Sequence, residues 1–195
     1  MISRKLQIFT VLLVLVILAM AGYLVHLKRK AEAIAAPQVQ QVLVAPVNGP
    51  AETTLLFLPD DDEGLLHATS VTLALPSDAG ERARLALHTL IARGLQKDSP
   101  HPYGAGADVH DVFLLDPNSA VVNLNQSLVA AQHSSIQSEQ MTIFSMVLTL
   151  KAQLPQLTRV RFLVEGKSAD TLAGHVDLSN WVDVVQLQQS APIAH

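Results

Sequence analysis

Four consecutive acidic residues, Asp60, Asp61, Asp62 and Glu63, are the densest charge in the soluble part of the chain, and hard carboxylate oxygens of this kind can hold Ca2+. Their spacing is not that of an EF-hand loop, whose ligands alternate and are closed by a distal glutamate. Adjacent extended residues point apart, so a solvated hairpin turn is the better account. Eight histidines invite a metal reading, yet none falls in HExxH or another compact ligand pair on an expected helix. His101 and His110 flank a Gly-rich loop, and surface or locally hydrogen-bonded imidazoles account for them. His133, Ser134 and Ser135 supply the residue types of nucleophilic catalysis, but neighbours ahead of a helix serve better as caps. No GxSxG elbow, SxxK pair or phosphate-cradling glycine loop occurs. The residues therefore assign no catalytic, cofactor-binding or metal-ligating position. A hydrolase whose site is assembled from distant residues stays as a third reading.

Bulk properties exclude further classes. The formal charge is -4 with no Lys/Arg cluster outside the N-terminal flanks, which argues against nucleic acid as a partner. There is no cysteine, hence no disulfide, thiolate site or acylated lipobox cysteine. With only 4% aromatic residues, cohesion must come from an aliphatic core, and there is no aromatic platform for stacking bases or sugars.

Residues 6–27 are almost uninterruptedly apolar, with Arg4 and Lys5 before them and Lys28, Arg29 and Lys30 after. A helix of about 20 residues rises about 30 Å, the thickness of a hydrocarbon core, and satisfies its own backbone. The expected organisation is a short cytoplasmic N-terminus at 1–5, a transmembrane signal-anchor helix at 6–27, a Pro/Ala/Gln-rich linker at 28–52, a domain at 53–183 and a flexible tail at 184–195. The alternative is a signal peptide cleaved near Ala21, where Ala19 and Ala21 have the small-x-small form, leaving a secreted or periplasmic protein. Pro37, Pro46 and Pro50 mark the linker as extended and semi-rigid.

From Thr53 the punctuation is regular. Residues 53–59 and 67–75 read as a hairpin around the acidic turn, and Ser77 as the cap of a helix that buries Ala83, Leu87, Leu90, Ile91 and Leu95. A second hairpin turns at Asp116, Pro117, Asn118 and Ser119. A short helix near Ser127 precedes a long one, capped by Ser135 or Ser138 and stopped by Pro155. A strand follows over 160–164, and residues 171–182 read as a final extended piece. The fold class is α+β: a mixed β-sheet with two main helices packed on one face, in the order β-β-α-β-β-α-β-β, preceded by a transmembrane helix.

Four stretches carry a family resemblance: LLFLPDDDEGLL, LALHTLIARGLQ, VFLLDPNSAVVNLN, and the run from Ser138 through TLKAQLPQLTRVRFLVEGKSADTLAGHVDL. In order and spacing they resemble the GerMN domain of sporulation and spore germination proteins, over about residues 53–182. The resemblance implies an α/β module on the outer side of a bacterial membrane, without an established catalytic centre, packing beside others in envelope assemblies. It places candidate partner contacts at Glu165, Gly166, Lys167, Gly174, His175 and Asp177, after the last core strand. The expected function is a membrane-anchored, extracytoplasmic, non-catalytic assembly module, with envelope proteins or a second copy as partners. A binding module for a cell-wall fragment, peptide or small ligand is the alternative.

Overall fold

The computed structural model describes Met20, residues 49–130 and residues 135–194. The chain divides into two units, residues 1–46 and 47–195. Apart from Met20, the expected anchor at 6–27 and most of the linker lie outside the described residues. Among the described residues no helix is long and apolar enough to cross a membrane.

The second unit opens with β1 (Ala51–Asp60) and β2 (Leu65–Ala74), an antiparallel hairpin in register from Ala51↔Ala74 to Asp60↔Leu65. Asp60 Oδ1 accepts the N–H groups of Asp62 and Glu63 at 3.0 and 2.9 Å, and Gly64 (φ 68°) takes the left-handed position that closes the turn. α1 (Ala79–Gly94) follows, capped by Asp78 rather than Ser77, because it is the Asp78 carboxylate that accepts Glu81 N–H. β3 (Val109–Asp116) and β4 (Ser119–Leu124) form the second hairpin. α2 (Gln126–Ala130) and α3 (Ile136–Gln153) then lead to β5 (Arg159–Val164), which pairs in parallel with β4. A parallel pair needs a crossover of this length, and α3 provides it. β6 (Val182–Asp183) and α4 (Val184–Ser190) complete the order.

The architecture is α+β, with one correction to the expected sheet. Two sheets replace one: a two-stranded β1-β2 and a four-stranded β3-β4-β5-β6. The reason lies in α3, whose Ser138, Thr142, Ser145 and Thr149 are all buried at helical spacing, as is Glu139. Ser145 donates its hydroxyl to Phe57 C=O, Phe57 N–H donates to Thr149 Oγ1 at 3.1 Å, and Gln153 Nε2 donates to Thr54 Oγ1. The β1 edge thus finds its partners on a helix instead of a third strand. Leu56 and Leu66 of the hairpin, Leu87, Leu90 and Ile91 of α1, Met146 and Leu150 of α3, and Val122 and Phe162 of the larger sheet share one buried core.

Two further corrections concern the C-terminal third. Residues 184–195 are not a loose tail through 194: α4 buries Val184 and Leu187, and the segment after it bonds to β2 through Leu66 N–H to Pro192 C=O (2.7 Å) and Ala194 N–H to Leu66 C=O (2.9 Å). Residues 171–181 do not extend a sheet. The N–H groups of Ala173, His175 and Val176 go to a buried carboxylate on α3, described below, others bond within the segment or to Asp170, and Val182 and Asp183 pair with β5. Leu95, expected on the buried face of its helix, sits at the helix end with 41% exposure.

Two outcomes follow from this packing. Ser145→Val and Thr149→Val should each cost about 1–3 kcal/mol by stranding a buried backbone group of Phe57. Gly94→Ala should cost about 1–3 kcal/mol, because a Cβ there would lie 2.2 Å from the Tyr103 ring. Urea unfolding of the variants checks both; losses under about 0.5 kcal/mol would contradict the assigned roles.

Candidate functional site

The six expected partner-contact residues fall into two groups held by different parts of the fold. At the end of β5, Glu165 adopts φ 49° and its carboxylate accepts Gln126 N–H at 2.7 Å, the free donor at the start of α2, while its other oxygen faces His110 Nε2 at 3.2 Å. The Gln126 N–H first and His110 second hold the Glu165 carboxyl below its ordinary range. Gly166 (φ 72°) donates its N–H to Asn123 Oδ1, and Lys167 closes a tight turn with Val164 through reciprocal backbone bonds. The Lys167 side chain is exposed.

The second group lies over the first turns of α3. Glu139 is fully buried, and its Oε2 accepts N–H from Ala173 (3.1 Å), His175 (3.0 Å) and Val176 (2.9 Å), while His175 Nδ1–H reaches Oε1 at 2.8 Å. Burial pushes this carboxyl up, and the three backbone donors with His175 outweigh it, so Glu139 titrates below its ordinary value of 4.5. Gly174 (φ 122°) allows the backbone to curl around the carboxylate. Asp177 caps its own loop, accepting Ser179 N–H at 2.7 Å, Ser179 hydroxyl at 2.6 Å and Asn180 Nδ2–H at 3.1 Å. His175 is thus tied through Nδ1 to α3 and Asp177 closes its own turn, while both residues remain exposed on the loop that was expected to dock a partner. Glu139 was not singled out from the sequence, where a Glu near a helix start reads as a dipole partner.

A third polar group joins the acidic turn to the interior. His101, 1% exposed, places Nδ1 2.7 Å from Asp61 Oδ1 and Nε2 2.8 Å from Thr142 Oγ1, while Ser138 donates its hydroxyl to Asp61 Oδ2 at 3.2 Å. An acid, an imidazole and a hydroxyl in line have the connectivity of a nucleophilic triad. Thr142 is fully buried and its hydroxyl donates to Ser138 C=O at 3.1 Å, so no substrate carbonyl can reach it in this arrangement. The relay pins residues 99–103 and the hairpin turn to α3. Tyr103 stacks edge-on to His101 with centroids 5.0 Å apart, and burial pushes its hydroxyl well up, opposed by the Thr142 hydroxyl. His101 was expected to be a surface or locally bonded residue; its partners are 40 and 41 residues away in sequence, beyond the reach of spacing arguments. Of His133, Ser134 and Ser135, expected to cap the helix, Ser135 is described and caps α3 by accepting Ser138 N–H, while His133 and Ser134 lie outside the described residues.

Beside this relay, a cleft of about 230 Å³ opens between the hairpin, the end of α1 and residues 98–103, with His67, Arg93 and Asp98 among its lining residues. On the hairpin, ligand atoms of Asp60, Glu63 and His67 lie within 4.8 Å of one another.

The larger sheet has a different character on the side away from the core. Register places Phe113, Val121 and Arg161 in one row and Asp111, Asn123 and Leu163 in the next. Phe113 is 52% and Leu115 63% exposed, with Val121 and Leu163 half-buried. Arg159 borders this face, its guanidinium 4.8 Å from the Trp181 ring and 3.7 Å from Asp116. Among the described residues no helix covers these side chains.

The match to known proteins agrees with this architecture. The family described as Germane, sporulation and spore germination, matches residues 54–170. The chain belongs to the Germane family. Among solved structures it is similar to the tandem GerMN domains of the sporulation protein GerM from Bacillus subtilis, with 14% identity, TM-score 0.52, and coverage of 69% of this chain and 46% of that one. It is also similar to the first GerMN domain of that protein, with 15% identity, TM-score 0.46, and coverage of 68% and 97%. A candidate lipoprotein from Clostridium perfringens matches with 18% identity, TM-score 0.47, and coverage of 69% and 87%. No match was found among curated proteins. At these identities the likeness to solved structures concerns the fold, and the Germane match carries the family.

The Glu139 cage has a pH signature. A carboxyl whose folded value is depressed stabilises the fold above its unfolded value, and that contribution fades as pH falls through the folded value. Acidification below 4.5 should therefore lower the Tm of the native chain more steeply than that of Glu139→Gln. Glu139→Ala should cost about 3 kcal/mol or more at neutral pH by stranding three N–H groups. Thermal unfolding from pH 7 to pH 3 measures both; parallel curves for native and Glu139→Gln would refute the cage.

Proposed function

We propose that this Germane-family chain is a non-catalytic contact module of the bacterial envelope. Residues 6–27 tether it to the membrane, residues 28–52 act as spacer, and the folded domain lies on the extracytoplasmic side. The observation that carries the reading is the uncovered face of the larger sheet. An antiparallel hairpin commonly leaves one face to water, but then that face alternates to polar residues. Here β3 sets Phe113 and Leu115 outward, beside Val121 and Leu163 and bordered by Arg159, Arg161, Asp111 and Asp116. An apolar centre with a charged rim is the anatomy of a protein interface.

The proposed contact surface is the sheet face, which offers exposed apolar side chains, rather than the exposed polar loop at 174–177. The turn at Glu165, Gly166 and Lys167 follows Leu163 directly along β5 and ends the face, with the exposed Lys167 as its available charge. The family's link to sporulation and germination supports an envelope role, and envelope proteins or a second copy are the proposed partners. The 230 Å³ cleft favours a second reading, a binding module for a small ligand, peptide or wall fragment; it is small against the usual range for such sites, about 300–1,000 Å³.

Crosslinking with mass spectrometry in native membranes should place crosslinks and protected residues on β3–β5. Phe113→Asp with Leu115→Asp should abolish those contacts while changing stability by no more than about 0.5 kcal/mol each, as exposed substitutions do. Asp177→Ala should leave them in place. Unchanged contacts in the double variant would sink the sheet-face reading. A domain untouched by protease added to spheroplasts would sink the extracytoplasmic one.

A further inference from the structure

We propose that the β1–β2 hairpin carries a binding site for a first-row divalent transition-metal ion of the Zn2+ type, with Asp60, Glu63 and His67 as its protein ligands. The three residues follow a D-x2-E-x3-H spacing that has no meaning on an isolated helix or strand. The hairpin register gives it one. Leu58 stands opposite His67 and Asp60 opposite Leu65, so Asp60 and His67 project from the same face on neighbouring strands. Glu63, in the turn between them, reaches back to set Oε2 3.0 Å from His67 Nε2.

All three donor atoms lie within 4.8 Å of one another. Ligands at about 2.0–2.2 Å around a tetrahedral Zn2+ stand about 3.3–3.6 Å apart, and the flexible Glu63 side chain can supply the remaining closure. The His67 and Glu63 side chains are 43% and 56% exposed, so a hydrated ion has access. The Asp60 carboxylate is already oriented, because its Oδ1 accepts the Asp62 and Glu63 N–H groups while Oδ2 makes no hydrogen bond among the described residues. Backbone donors that fix a carboxylate this way are what orients ligands in established metal sites.

The donor set selects the class of ion. One imidazole with two carboxylates and no thiolate suits Zn2+ or Mn2+, whereas Ca2+ and Mg2+ call for oxygen ligands throughout. His67 also lines the 230 Å³ cleft that contains Arg93 and Asp98, so the positions left open on the ion border a space that water or an anionic group can occupy. The other histidine pairs differ in kind. His88 with Asp108, His101 with Asp61, His110 with Glu165 and His175 with Glu139 each offer one imidazole and one carboxylate, and none belongs to a three-ligand group among the described residues.

The test is calorimetric titration of the chelator-stripped full chain, purified in detergent without a histidine tag, with ZnCl2 and then with CaCl2. One equivalent of Zn2+ should bind with a dissociation constant on the order of micromolar, about -8 kcal/mol. His67→Ala and Glu63→Gln should each weaken it by about tenfold or more, with the metal-free Tm unchanged. His110→Ala, which removes an imidazole from a two-residue pair elsewhere, should bind Zn2+ as the native chain does. Absence of saturable Zn2+ binding, binding indifferent to His67→Ala and Glu63→Gln, or an equal loss in His110→Ala would each overturn the assignment. So would a preference for Ca2+ over Zn2+.

Discussion

The edge of β1 has no neighbouring strand, and the hydroxyl row on α3 is what allows that edge to be buried. Backbone groups removed from water must find partners, and Phe57 finds both of its own on Ser145 and Thr149 of a helix. Once this docking exists, the remaining arrangement is strongly constrained. The hairpin cannot join the larger sheet on that side, α3 must carry polar residues through the core, and its apolar residues are left to hold α1 and the four-stranded sheet. Most of the helix is accordingly buried, including residues that would be costly there without partners.

The same helix anchors the loops at both sides of its N-terminal turns. Ser138 and Thr142 hold the acidic turn through Asp61 and His101, and Glu139 gathers the chain at residues 173–176. These are charge-assisted bonds in a dry setting, strong when complete and expensive when one member is lost. They explain why residues with the look of chemistry, an Asp-His-Thr relay and a His beside a Glu, serve cohesion. Burial decides between the two roles: a hydroxyl without exposure can orient a loop and cannot meet a substrate.

What the interior does not use is left on two surfaces of different kind. One is apolar and broad, the outer side of β3–β5, and it is the proposed contact face. The other is polar and compact, the hairpin face carrying Asp60, Glu63 and His67. They lie on different sheets, so substitutions can test the proposed contact and the proposed ion binding separately.

The sequence by itself determined the element types and most of their limits. Alternation in VHDVFLLD, the helical stripe of Ala83, Leu87, Leu90 and Ile91, the Ser135 cap and the stop before Pro155 are local signals, set by backbone periodicity and hydrogen bonding within a few residues. The family was legible for the same reason, since the order of those elements carries it. The apolar run at 6–27 was equally plain, though apart from Met20 it lies outside the described residues. Only the tertiary structure decided that the strands form two sheets, that residues 184–194 pack as helix and strap, and that His175 is tied to Glu139 of α3. Each of these depends on pairs such as Phe57 with Thr149, or Glu139 with Val176, separated by 92 and 37 residues. A buried Glu and an exposed Glu are the same letter, and what distinguishes them is which N–H groups the folded chain brings within 3 Å.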